Sequence, residues 1–400
     1  MKINVGVFFG GRSVEHEVAV ISAVQAMNSM DLGKYNIIPV YITKNGEMYH
    51  APEMTDINQF KDIPKLLEIS KPVTLIKNGD KATVVELKKG LFKKPVADID
   101  IAFPIVHGTN CEDGAIVGWF ELLGIPYVGC DICSAAVGMD KAVFKYLLLE
   151  KGVPTLPCVT FYAKEWVADK ANIISNIEQK FGYPLMVKPA NLGSSVGISK
   201  AHDKDELESA ISLAMEFAQK ILVEPAVNNL REFNCSVVGD CDGCKTSVIE
   251  EPVMSGELLS YADKYESGGK GAKSGGKTGA DGQGMASVKR KIPADITDKM
   301  KSDIENYSKA AFTALGASGV VRIDYLYDVD NDKVYVNEIN TIPGSLSFYL
   351  WEPAGVPYKQ LLDEIIDLGF KRARTRENLM FTYDTNILSK GGSFGSKGKK

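Results

Sequence analysis

The chain alternates short, unbroken apolar runs with longer stretches in which apolar residues recur at helical spacing. INVGVFF at 3–9 and YNIIPVYI at 35–42 are continuous runs of strand length, the pattern of parallel strands buried on both faces. Gly10 and Gly11 end the first run, Ser13 is placed to cap a helix, Glu15 and Glu17 fall in its first turn, and apolar positions continue it from Val18 to Met30. Carboxylates there either complement the helix dipole or, standing where a strand meets a helix, hold a substrate ammonium. IDIAFPIVHG at 99–108 reads as a further strand ending in His107, followed by a helix opening at about Glu112, the strand YVG at 127–129 and a helix from about Ala135 to Lys151. The first hundred residues therefore predict an open α/β sheet of βαβ units. His107 lies where such folds place ligand contacts, or else serves the structure alone.

From Thr155 the rhythm changes to strand (LPCVTFY), helix (169–181), strand (PLMVKP), loop, helix (204–219) and strand (KILVEPAV), a compact α+β unit. Within it MVKPANLGSSVGI at 186–198 ends a strand in Lys188 and continues into Gly193, Ser194, Ser195 and Gly197, a turn able to aim N–H groups at phosphate oxygens. A ligand-free loop between strands is the alternative. Glu224 and Pro225 close the last strand at an expected hinge, where interrupted pairing leaves backbone groups for a planar heterocycle. Glu232, in REFNCSVVG, faces either a ribose or solvent. Residues 256–291 contain nine glycines and read as a lid or a disordered segment. GAKSGGKT at 271–278 fits the letter of a phosphate-loop motif, but lacks the strand before and helix after that its chemistry requires.

A helix over 296–316 precedes two strands, GVVRIDYLYD and KVYVNEINTIPG, joined by a turn at 329–332. Alternation sets Arg322 and Asp324 on one face of the first and Glu338 and Asn340 on one face of the second. Antiparallel pairing would gather them into an oxygen cluster beside a guanidinium, suited to magnesium bridging phosphates, or into a charged cross-strand network. A last helix from Tyr358 to about Arg372 leads to the basic tail KGGSFGSKGKK.

Composition narrows the options. Four hundred residues exceed one core, so two or three domains are expected. A net charge of −5 and a pI near 5.6 argue against a nucleic-acid partner. Neither a secretory leader nor a membrane-length apolar run is evident. Seven scattered cysteines fit a reducing cytoplasm. Two CxxC pairs, Cys130 with Cys133 and Cys241 with Cys244, read as incidental small hydrophobes rather than zinc ligands. Lys141 is a cation near a helix N-terminus, where the dipole disfavours it unless an anion is near.

GGRSVEHEV at 10–18, HGTNCEDG at 107–114, GMDK at 138–141, KPANLGSSVG at 188–197, VRID at 321–324 and NEINTIPG at 337–344 follow in an order that resembles the D-alanine–D-alanine ligase family of ATP-grasp enzymes, up to about residue 375. The resemblance implies a multidomain α/β and α+β protein. An N-terminal open α/β, pre-ATP-grasp-like domain (1–130) would precede a two-lobed ATP-grasp fold with a central lobe (131–228), a C-terminal lobe (229–382) carrying the lid, and a flexible tail (383–400). It implies cytoplasmic synthesis of D-alanyl-D-alanine for peptidoglycan from two D-alanines, by a homodimer using ATP and two magnesium or manganese ions, through an acyl phosphate. Lys141 and Lys188 would grip the inner phosphates and Lys264 the γ-phosphate. Asp324, Glu338 and Asn340 would hold the metals. The backbone of Glu224, Pro225 and Val227 would take adenine and Glu232 the ribose. Glu15 would bind the first substrate's ammonium, linked through Ser194 and Tyr265 to the lid, while Arg322 and the Gly344 N–H would stabilise the oxyanion. Where the family carries a serine followed by leucine for the second substrate, this sequence has Tyr349 followed by Leu350, so D-serine or D-lactate stands as an alternative acceptor. Outside the family, a P-loop nucleotide hydrolase and a non-enzymatic nucleotide sensor remain.

Overall fold

The computed structural model describes residues 2–79, 81–87, 94–193, 196–252 and 290–383. Ser194, Lys264, Tyr265, the 271–278 motif, the expected lid up to residue 289 and the tail from residue 384 lie outside the described residues.

Three sheets follow one another along the chain. The first has seven strands in the order β6-β5-β4-β3-β2-β1-β7: β1 (Ile3–Gly10), β2 (Tyr35–Ile42), β3 (Met48–His50), β4 (Lys71–Asn78), β5 (Lys81–Glu86), β6 (Pro95–Ile99) and β7 (Ile101–Ile105). β1 runs parallel to β2 and β7 at its centre, with Val5, Val7, Phe8 and Phe9 wholly enclosed, which is why no polar residue intervenes from Val5 to Phe9. The βαβ expectation holds only there. β3 to β6 pair antiparallel, because connections such as the two residues between β4 and β5 are far too short for a crossover.

Local boundaries also move. The helix His16–Ser29 starts at a Glu15 N-cap, while Ser13 Oγ accepts the Glu15 N–H at 3.1 Å instead of capping the helix itself. Asp100 splits the expected 99–108 strand and takes the Asn4 N–H on its carboxylate at 2.7 Å. Gly114, at φ 94°, delays the next helix to Ala115–Leu123, so Glu112 stands in the preceding turn. The single helix expected over 135–151 is two, Ile132–Met139 and Lys141–Glu150, broken at Asp140, whose carboxylate caps the second by accepting from the N–H groups of Ala142 and Val143.

The second sheet, of four strands, has the order β10-β9-β11-β8: β8 (Val159–Tyr162), β9 (Leu185–Pro189), β10 (Ser199–Ala201) and β11 (Lys220–Pro225). The third, of five, runs β14-β13-β12-β15-β16: β12 (Leu230–Asp240), β13 (Gly243–Pro252), β14 (Arg290–Lys291), β15 (Gly319–Asp328) and β16 (Lys333–Asn340). β15 and β16 pair antiparallel with Arg322 opposite Asn340 and Asp324 opposite Glu338, as the alternation requires. After this sheet the chain returns to the first. Leu346, Trp351 and, on the helix Tyr358–Glu377, Leu361, Leu362, Ile365 and Ile366 share one core with Val5, Val20 and Ile101. Each such side chain contributes about 1.5–3 kcal/mol by leaving water. The turn 341–347 is thereby pinned between the third sheet and the first.

Candidate active site

Lys188 leaves β9 beside β11, and its ammonium lies 2.5 Å from Glu224 Oε1. Lys145 reaches Glu224 Oε2 from the opposite side at 2.9 Å, and also donates to Thr155 Oγ1 and the Leu156 carbonyl. Burial alone would raise the Glu224 carboxyl, but the two ammonium groups overcome it and hold it down at about 2. Lys188, which burial would lower, is kept raised by Glu224. The Glu224 carboxylate is therefore spent on lysines, and only the backbone of this segment remains for the role expected of it. There the Ala226 N–H already bonds the Pro184 carbonyl, while Pro225 at the strand's end and Val227 just past it stand partly exposed. Glu232 on β12 adds its charge to the field at Lys188.

Lys188 also donates to Asn337 Oδ1 at 3.1 Å, tying the second sheet to the third. Lys141 makes the same crossing. Its ammonium donates to the Leu192 carbonyl at 2.6 Å and lies 2.9 Å from Glu338 Oε2. Lys141 and Lys145, one turn apart on one helix face, would repel were each not matched to a carboxylate. On β15 Arg322 grips Asp324 through two bonds of 2.7 Å, and Asn340 Nδ2 donates to Asp324 Oδ2 at 3.1 Å. Arg322 is buried, and the Asp324 charge outweighs desolvation to keep it firmly protonated. The expected oxygen cluster is thus assembled, with a cation already on each carboxylate. Among the described residues no group of three or more His, Cys, Asp or Glu side chains is arranged to hold a metal.

Glu15, which follows β1, stands against the loops at Gly193 and Gly108. A Cβ on Gly193 would lie 2.8 Å from Glu15 Oε2, and one on Gly108 would lie 2.7 Å from it, so both glycines are needed for the carboxylate to sit between those loops. Glu112 is buried beside it and accepts from the N–H groups of Gly108 and Ile342 and from Thr341 Oγ1. Burial, with the Glu15 charge second, pushes its carboxyl up to about 7. His107 is buried as well; desolvation lowers it to about 4 and keeps it neutral. Its Nδ1 lies 2.7 Å from the Ile342 carbonyl and its Nε2 2.9 Å from Ser22 Oγ. Both ring nitrogens are engaged, and the ring fastens the 341–347 turn. In that turn Gly344 precedes Ser345, Leu346 and Ser347 at φ 52°, 50° and 54°, three left-handed residues in succession. Left-handed geometry costs non-glycine residues about 1–2 kcal/mol each, so the surroundings must impose it.

Tyr349 is buried, with its hydroxyl 3.3 Å from Glu250 Oε1 and the Arg290 guanidinium 4.1 Å above its ring. Glu250 in turn receives Arg290 at 2.6 Å and Asn234 at 2.8 Å. The Leu350 side chain is wholly enclosed beside Tyr349. Ser22, Glu112, Lys145, Glu250 and Arg290 escaped sequence reasoning. Lys145 carried a usable signal in its spacing from Lys141, and Glu112 in the HGTNCEDG stretch.

Two family models match, described as D-ala D-ala ligase N-terminus over residues 4–130 and D-ala D-ala ligase C-terminus over residues 147–367. The chain belongs to the D-alanine–D-alanine ligase family. A D-alanine–D-alanine ligase of Thermosipho melanesiensis is 39% identical, with 96% of this chain and 98% of that one covered. Among solved structures, the D-alanine–D-alanine ligase of Coxiella burnetii superposes with a TM-score of 0.75 at 28% identity, covering 94% of this chain and 96% of its own. The VanG D-Ala:D-Ser ligase of Enterococcus faecalis gives 0.74 at 30% identity, covering 92% and 100%. Members of this family are ADP-forming ligases, and the three-sheet, multidomain α/β architecture of this chain is theirs.

Proposed function

We propose that this protein joins two D-alanines at the expense of ATP, forming D-alanyl-D-alanine for peptidoglycan precursors. One observation carries the reading: Lys141 bonds the KPANLG loop and Glu338 at once, so the candidate phosphate lysines and the candidate metal oxygens share one cleft, with Glu15 on the far side of the same loop.

The first D-alanine is held by Glu15 through its ammonium, and its carboxylate attacks the γ-phosphorus, releasing ADP and leaving D-alanyl phosphate. The amine of the second D-alanine loses a proton and adds to the acyl carbon; the tetrahedral oxyanion collapses and phosphate departs. Lys141 and Lys188 offset the charge of the inner phosphates, and Arg322 with the Gly344 N–H stabilises the oxyanion. Adenine lies along the backbone of Glu224, Pro225 and Val227, with Glu232 at the ribose. Ser194 and Tyr265 link Glu15 to the lid, from which Lys264 meets the γ-phosphate. Asp324, Glu338 and Asn340 offer hard oxygen donors too few to enclose an ion alone, the arrangement magnesium or manganese accepts when phosphate oxygens complete its shell. Two such ions would neutralise phosphate charge there. Cytoplasmic action as a homodimer belongs to the same reading and rests on the resemblance.

A second reading, in which the acceptor is D-serine or D-lactate, follows from Tyr349 standing where the family carries a serine, held in a buried group with Glu250 and Arg290. Incubation with ATP, magnesium and D-alanine, alone and with D-serine or D-lactate, followed by mass spectrometry of the products, decides between them. Dipeptide from D-alanine alone, with ADP in equal amount, supports the first. A mixed product formed in preference supports the second, and no ADP overturns both.

A further inference from the structure

We infer that Ser22 is a positioning residue for the ligase reaction: from the second turn of the helix His16–Ser29, its hydroxyl fixes the 342–345 turn and thereby the Gly344 N–H. The inference rests on the oxyanion role proposed for Gly344.

Proton accounting defines the linkage. The Ile342 carbonyl can only accept, so His107 Nδ1 carries the ring proton and donates to it. In the neutral ring Nε2 then has a lone pair, and Ser22 is the donor to it at 2.9 Å. The same Ser22 oxygen accepts the Ser345 N–H at 2.8 Å. A closed chain of bonds therefore runs from Ser345 through Ser22 and His107 back to Ile342, bracketing Pro343 and Gly344. Glu112 holds the Ile342 N–H from the other side at 3.0 Å. Ser22 is buried, so bulk solvent does not stand ready to replace the bonds its hydroxyl makes. The bracket also imposes the left-handed run that begins at Ser345, and Leu346 seals it into the core of the first sheet. An N–H that must meet a transient charge profits from such prior placement, and misplacement by a fraction of an ångström weakens it without touching substrate binding elsewhere.

The test is steady-state kinetics of Ser22→Ala with two binding measurements: the affinity for a phosphinate analogue of the tetrahedral intermediate and that for D-alanine. The expected result is a kcat lowered roughly 10- to 100-fold, KM for ATP within about twofold, and phosphinate affinity falling in step with kcat/KM while D-alanine affinity holds. Ser22→Cys, which fills similar space but bonds weakly, should fall between, and is read in the same way should Ser22→Ala not fold. A kcat within about twofold of wild type, or equal losses for phosphinate and D-alanine, overturns the inference. Wild-type protein that makes no dipeptide overturns the ligase reading and this inference with it. Wild type that makes dipeptide beside an unimpaired variant overturns this inference alone.

Discussion

The two sides of the cleft are held by different physics. On the side of the second and third sheets the positions are set by ion pairs: Lys145 and Lys188 on Glu224 in the second, Arg322 on Asp324 in the third, and Lys141 on Glu338 reaching across to the third. On the first-sheet side, Ser22, His107 and the N–H groups of 342 and 345 are held by short-range hydrogen bonds around a neutral ring and a carboxyl raised to about 7. Where a triphosphate must be met, lysines poised on carboxylates can exchange one anion for another at modest cost. Where a backbone N–H must be aimed, directional bonds locate it more sharply than charge does.

The strongest test of the charged side is Glu338→Gln. It removes a charge from Lys141 and an oxygen from the candidate metal set, and should lower ADP formation by about 1,000-fold or more while the protein still folds. A coupled ADP assay with circular dichroism checks both, and an active variant at ordinary magnesium would remove Glu338 from the chemistry. Glu224→Gln should act the other way round, on stability first. It strands two buried ammonium groups, and breaking such a pair costs about 3–5 kcal/mol, readable as a lower urea midpoint.

The same contrast governs pH. The Glu224 carboxyl sits near 2 in the fold against an ordinary value of 4.5, so its contribution is present above pH 4.5 and is lost as pH falls toward 2. His107 is lowered to about 4 from 6.5, so stability drops as pH falls through that window. Glu112 is raised from 4.5 to about 7, so its contribution falls as pH rises across nearly the same range. The last two slopes oppose each other between pH 4.5 and 6.5. Wild type should accordingly be nearly level there and fail below 4.5, whereas His107→Gln should lose up to about 1.4 kcal/mol per pH unit on raising pH from 4.5 to 6.5. Urea unfolding at a series of pH values reads the slope directly, and a level His107→Gln profile would mean Glu112 is not the opposing group.

What is legible in the sequence follows the same division. The buried parallel strands are plain because a run of seven or eight residues that is apolar but for one asparagine near its start, rich in β-branched and aromatic side chains, is too short for a buried helix and too apolar for a surface strand. The Arg322–Asp324–Glu338–Asn340 group is reachable because a period of two fixes which side chains face together. The antiparallel hairpins at 71–99 stay hidden, since alternate residues there read as surface. Ser22 gives no sign at all: a serine in a helix of small residues looks like a spacer until the fold brings residue 345 beside it. Nor does a sequence reveal that the lysine-bearing strand and Glu224 will share a buried ion pair, because the register of β9 against β11 is settled by the whole sheet.

The smallest expected effect lies at Tyr349, where the two modes of support meet. Its hydroxyl is at 3.3 Å from Glu250, a long bond, while its ring packs under Arg290 and beside the wholly enclosed Leu350. Removing the hydroxyl keeps the ring and its stacking, so Tyr349→Phe should cost no more than about 1.5 kcal/mol of stability, the low end for a hydrogen bond to a carboxylate because this one is long. Its functional effect should be confined to the acceptor. If the hydroxyl, or the Arg290 it helps to orient through Glu250, receives the carboxylate of the second amino acid, the apparent KM for the second D-alanine should rise several-fold, by roughly the loss of one such bond, and that for the first should not. Initial-rate measurements over a wide range of D-alanine concentration separate the two constants. A rise in the first constant instead would place Tyr349 with the Glu15 side of the cleft. No change in either, with wild type preferring D-serine in the product assay, would mean that this buried group is built for the other acceptor.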